Sequence, residues 1–146
     1  MEQRVNIEQT LPDAWKAMYG LSVVVSKSAL TPIQKHLVMV RASQINSCAF
    51  CINMHTKEAL KMGETAQRLF LLSAWKEIDI FTAEEKAILA LTEEVTLIHQ
   101  HGVSDETYRQ AEKFFDAQTI GGIIMSIVLM NAWNRMAVST RLPIGE

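Results

Sequence analysis

The tetrapeptide Thr31-Pro32-Ile33-Gln34 restricts this chain more than any other local feature. The threonine oxygen can accept from the amide of Gln34, and the glutamine side chain can reach back to the threonine N–H. A proline at the first helical position gives up an N–H that would be unpaired in any case. Such a segment opens a helix. Thr82-Ala83-Glu84-Glu85 repeats the logic, with acidic side chains where the helix dipole favours them. Gly63 and Gly102 fall where helices would need a C-cap. Ile88, Leu91, Val95 and Ile98 form a 3-4-3 apolar stripe. Strand signals are missing: no run alternates apolar with polar residues, and no Asn-Gly or Asp-Gly pair marks a hairpin. The best strand candidate, Leu21 to Val25, is isolated and continues the helical spacing of Leu11, Trp15 and Met18. These signals predict an all-α fold, one compact multi-helix domain over 1–146. Its seven helices fall at about 12–27, 32–46, 48–62, 64–78, 83–101, 105–115 and 117–138. Pro12 suits the first turn of the first helix. Residues 139–146, with Pro143 and Gly145, are expected to trail off.

A chain of 146 residues, 49% of them hydrophobic, can bury a core without disulfide or metal staples. Fourteen basic against 16 acidic residues leave a net charge of −2, which gives no electrostatic reason to expect nucleic acid. The N-terminus lacks a basic stretch followed by an apolar one, so no secretory signal is read there. The most apolar stretch, Ile120 to Met130, is broken by Gly121, Gly122 and Ser126 and runs into Asn131, Asn134 and Arg135. It falls short of the roughly 20 apolar residues that a membrane span needs, and reads as a buried helix. The expectation is a cytoplasmic protein without membrane attachment. In that compartment two cysteines close in sequence point to catalysis or metal rather than to a structural bridge.

Those cysteines stand in Ser47-Cys48-Ala49-Phe50-Cys51-Ile52-Asn53-Met54-His55. With Ser47 as the helix cap, Cys48 lies in the first turn, Cys51 one turn further and His55 one turn beyond that. At about 100° per residue all three share one stripe, which continues through Ala59 and Met62 towards the core. Helix N-terminal amides favour a thiolate, and a second thiol one turn away can close a disulfide. A histidine on the same stripe can take and return the thiol proton. The same residues admit a metal reading, with Cys48, Cys51, His55 and His36 as ligands, although the spacing is not that of a zinc finger. Haem attachment would need histidine where Ile52 stands, and a thioredoxin-like site would need β-α-β context.

The stretch from Leu37 to Lys57, together with Glu58 and Ala59, resembles the core of the alkyl hydroperoxidase D-like proteins of the carboxymuconolactone decarboxylase superfamily. Met130-Asn131-Ala132-Trp133-Asn134-Arg135 resembles the C-terminal signature of one branch of that family, so the likeness spans about residues 12–140. The resemblance implies an all-helical fold, a homo-oligomer (trimer or hexamer), and thiol peroxidase activity without a cofactor. Cys51 would attack the peroxide, Cys48 would resolve the product as a disulfide, and His55 would belong to the proton relay. A dithiol or lipoyl-type partner would return the electrons. Two positions depart from the family pattern. His36 stands where a relay glutamate is usual, and Phe50 where histidine or tyrosine is common, so the relay reads as short of a carboxylate. His36 could still shuttle a proton, because imidazole titrates near neutrality.

The remaining candidates have plainer readings. His99 and His101 precede Gly102 as solvated or capping groups in a last helical turn. Trp75 and Trp133 read as core or oligomer contacts. Asn131, Asn134 and Arg135 must find partners at an interface or in an internal network. Glu84, Glu85 and Lys86 read as a solvated first turn. The rival functions are a carboxymuconolactone-type decarboxylase, which would not need the cysteine pair, a Cys/His metal-binding module, and an inert helical assembly protein.

Overall fold

A computed structural model of the protein describes residues 2–144, and among these no strand occurs. The helices are α1 (Ile7–Thr10), α2 (Pro12–Ser26), α3 (Pro32–Ile45), α4 (Ala49–Lys61) and α5 (Ala66–Leu71). A 3₁₀ segment (Leu72–Glu77) follows, then α6 (Ala83–Thr96), α7 (Ile98–His101), α8 (Asp105–Glu112) and α9 (Ala117–Thr140). No helix is long and apolar enough to cross a membrane among the described residues.

Both capping boxes form as the sequence predicts, at Thr31–Gln34 and Thr82–Glu85. Gly63 and Gly102 adopt positive φ where α4 and α7 end. Several boundaries differ. The one-turn α1 was not foreseen; Asn6 caps it by accepting from the Gln9 amide. The helix expected over 64–78 is broken, because Ala74 leaves helical geometry. The 3₁₀ segment directs Trp75 inwards, where its Nε1–H donates to Glu93 Oε1 at 2.8 Å. The helix expected over 83–101 ends at Thr96, and the stripe breaks with it: Ile88 and Leu91 are buried, but Ile98 is exposed. Near that end Glu94 turns away to accept from the Ser104 and Thr107 hydroxyls and the Ser104 amide, which fixes the start of α8. Residues 139–144 do not trail off directly: α9 runs to Thr140, and Leu142 packs against the cysteine cluster. Gly145 and Glu146 lie outside the described residues. Glu85 is buried rather than solvated, paired with Arg68 at 2.6 Å.

Helix α3 is central, packed against α4, α6 and α9. It supplies Val38 to a cluster with Ile88, Leu91, Ile123 and Ile127, and Leu37 and Val40 to one with Leu72, Trp75 and Leu89. Ala42 joins a third with Cys48, Cys51, Met130 and Ala137. A helix buried on several sides carries little amphipathic signal, and α3 is held instead by specific polar ties. Arg41 donates twice to Glu93 Oε1 (2.9 and 2.8 Å), and Lys76 pairs with Oε2 at 2.8 Å. Burial opposes ionisation of Glu93, but the hydrogen bonds from Lys76, Trp75 and Arg41 outweigh it and hold the carboxyl below its usual 4.5. Its contribution to stability is therefore full above that value and lost as the pH falls through the lowered folded-state pKa. We expect Glu93→Gln to lower Tm at pH 7 and to flatten the acid limb below about pH 4.5. Thermal melts of both proteins from pH 7 to 3 check this, and parallel curves would refute it.

Candidate functional site

The turn between α3 and α4 builds the site. Helix α3 closes with the Ser47 amide on Gln44 O (3.2 Å) and the Cys48 amide on Ser43 O (2.9 Å). This double bond pattern is the Schellman closure, which needs a left-handed residue at the position held by Ser47, whose φ is 54°. Helix α4 therefore starts one residue later than the sequence reading placed it. Cys48, not Ser47, is the N-cap, and its Sγ accepts from the Cys51 amide at 3.4 Å. A left-handed serine costs roughly 1–2 kcal/mol, part of which glycine would return. Ser47→Gly is expected to hold or raise Tm, and the β-branched Ser47→Val to lower it by several degrees. A thermal melt that ranks valine level with glycine would contradict the closure.

Cys48 and Cys51 are bonded to each other, with Cα atoms 5.4 Å apart. They are 1% and 2% exposed. Only Cys51 of the two lines a cavity of about 590 Å³ between α2, α3, α4 and α9. The cavity walls are Trp15 and Tyr19 from α2, Met39 from α3, Phe50 and Met54 from α4, and Met130, Trp133 and Met136 from α9. Trp15 and Trp133 meet edge to face with centroids 5.1 Å apart, and Trp133 Nε1–H donates to Ser22 Oγ at 3.1 Å. Trp133 is thus a cavity wall rather than only core. Trp75 is core, as read, and His99 and His101 are exposed.

His55 and Ala59 continue the inner face of α4 behind Cys51, while Met62, expected on the same buried stripe, is exposed. His36 comes across from α3, its ring centroid 5.9 Å from that of His55. All four residues singled out in the sequence therefore meet in one region. The carboxylate read as missing is present from another position: Glu58 Oε2 lies 3.0 Å from His55 Nδ1. The sequence signal was a glutamate three residues after the histidine, on the same helical face. Burial pushes the pKa of His55 below 6.5; Glu58 partly offsets this and His36 adds to it. Burial likewise lowers His36, again with Glu58 opposing. Both shifts favour the neutral ring. With Nδ1–H directed to Glu58, Nε2 of His55 carries the lone pair, and that atom is buried without a hydrogen-bond partner.

Behind the site a polar network joins α3 to α9. Asn46 Nδ2 donates to Asn131 Oδ1 (3.0 Å) and Asn134 Oδ1 (2.9 Å), and Asn134 Nδ2 donates to Ser43 Oγ at 3.0 Å. This resolves the Asn131–Asn134 expectation in favour of an internal network. Arg135 stays on the surface, bound to Asn131 of its own helix.

A buried Cys-x-x-Cys disulfide at the entry to one helix of an all-α domain, with a histidine behind it, points to a class. The sequence pattern of the Carboxymuconolactone decarboxylase family matches residues 9–94, more than half of the chain, and the protein belongs to that family as an AhpD-like member. It is 39% identical over 139 residues to YdfG, an uncharacterized protein of Bacillus subtilis (strain 168), with 95% of each chain covered. Its fold matches ATU0492 of Agrobacterium tumefaciens, a protein of unknown function with a suggested AhpD role in antioxidant defence. That TM-score is 0.96 at 35% identity, over 99% of each chain. The debrominase Bmp8 shares the fold alone, with a TM-score of 0.77 at 17% identity over 92% of this chain and 72% of its own.

Proposed function

We propose that the protein is a thiol-dependent peroxidase that reduces organic hydroperoxides, with Cys51 attacking, Cys48 resolving and His55 carrying the proton. The observation that carries this reading is the Cys48–Cys51 pair at the wall of an apolar cavity, with the unpartnered Nε2 of His55 one helical turn behind. In the reduced protein His55 takes the Cys51 proton. The thiolate attacks the hydroperoxide, the O–O bond breaks, and the leaving alkoxide takes the proton from His55 to become the alcohol. Cys51 is left as a sulfenic acid. Cys48 displaces its hydroxyl as water and closes the disulfide. A dithiol donor then supplies two electrons and two protons, becoming a disulfide itself. Glu58 holds His55 in the tautomer this sequence needs.

The cavity favours a substrate with a hydrocarbon or aromatic body. Decarboxylation of a carboxylated lactone fits it poorly. Lys35 is the one lysine or arginine among the lining residues, and its Nζ is engaged by the Ser26 carbonyl at 2.6 Å. Thiol titration of the reduced protein before and after limiting cumene hydroperoxide tests the reading. The expected result is two free thiols before and none after, with one molecule of alcohol formed per disulfide. Persistence of both thiols would reject it.

A further inference from the structure

His36, His55 and Glu58 form a cluster in which the thiol chemistry uses His55 and Glu58 but gives His36 no part. One nitrogen from each ring and one carboxylate oxygen all lie within 4.8 Å of one another. His55 is only 6% exposed. Its Nε2 and His36 Nδ1 are buried without hydrogen-bond partners. Buried polar atoms are nearly always paired, so an orphaned nitrogen on each of two neighbouring imidazoles, in a cluster that also holds the Glu58 carboxylate, marks a place where a further partner is accommodated.

The donor set says which partner. Two imidazoles and a carboxylate suit a borderline divalent cation such as Zn²⁺; Mg²⁺ and Ca²⁺ prefer all-oxygen surroundings. Zinc bonds of about 2.0–2.2 Å would draw the three donors closer, which Glu58, with a side chain 45% exposed against 8% for His55, has room to allow. Three protein ligands leave a coordination position open towards the cavity that His36, His55 and Glu58 all line. The cysteines are not part of this set, because each is bonded to the other.

We propose that His36, His55 and Glu58 form a binding site for a zinc-class divalent cation, independent of the two thiols. This ligand set differs from the Cys/His one read from the sequence: Glu58 replaces both cysteines.

The test uses the oxidised protein, in which no thiol is free to bind metal, and reads binding rather than activity. It therefore stands apart from the peroxidase reading. Equilibrium dialysis against Zn²⁺ is expected to give about one ion per chain, and dialysis against Mg²⁺ none. Affinity should fall by about tenfold or more in His36→Ala and in Glu58→Gln, each checked for a native circular dichroism spectrum. It should hold in Cys48→Ser/Cys51→Ser and in His99→Gln/His101→Gln, which removes the exposed histidines. Failure of the oxidised protein to take up zinc would overturn the proposal. So would zinc binding that survives both His36→Ala and Glu58→Gln, or that disappears with the exposed histidines.

Discussion

Cys51→Ser is expected to lower peroxide consumption by about 10³-fold or more, to the rate of the uncatalysed reaction. The expectation rests on access. Both sulfurs are buried, but Cys51 alone of the two lines the cavity proposed to admit the hydroperoxide. It is also one helical turn from His55 on the inner face of α4, whereas Cys48 sits at the cap. Cys48→Ser should behave differently. Cys51 would still be oxidised once, and with no resolving thiol the sulfenic acid would persist and be captured by dimedone. Mass spectrometry of the dimedone adduct, with a single-turnover measurement of alcohol formed, separates the two variants. A sulfenic acid trapped at Cys48 in the Cys51→Ser protein would exchange the two roles.

The grouping of the candidate site residues was legible in the sequence because most of them are local. Cys48, Cys51 and His55 lie on one helix, and a 3.6-residue period places them on one face without knowledge of the rest of the chain. The resemblance added His36, whose partner helix is the next one back. The Thr31 and Thr82 capping boxes were legible for the same reason, since each is complete within four residues. What escaped the sequence was set by tertiary contact. Trp133 has the spacing of a core residue and becomes a cavity wall only because Trp15, from the far end of the chain, stands across from it. Glu85 looks like a surface acid until Arg68 arrives from α5. The breaks at Ala74 and Leu97 follow from where Trp75 and Glu94 find their partners, not from a glycine or proline at the break. Ser47 is a separate case. The left-handed turn was hidden because serine occupies a position where glycine would have announced it.

Asn134→Ala is expected to destabilise the protein by about 3 kcal/mol, a fall in Tm of roughly 10 °C. Asn134 is 0% exposed, so its amide was fully removed from water on folding. Its stability then depends on the bonds that replace water: Nδ2 to Ser43 Oγ at 3.0 Å and Oδ1 from Asn46 Nδ2 at 2.9 Å. Alanine removes both and leaves a small void between α3 and α9. The damage should extend to the site. Ser43 supplies the carbonyl that receives the Cys48 amide, and Asn46 is the last residue before the left-handed Ser47. With both released from α9, the turn that sets the register of Cys48 against Cys51 loses its support, and closure of the disulfide should slow as well. Gln118→Ala is the control, on the same helix but exposed and outside the network, with an expected change of about 0.5 kcal/mol or less. Denaturant melts of the two variants, together with stopped-flow thiol loss after peroxide, give both readouts. Equal melts would remove the network from the account of stability. A large loss of stability with an unchanged rate of disulfide closure would show that the network holds the helices together without governing the thiols.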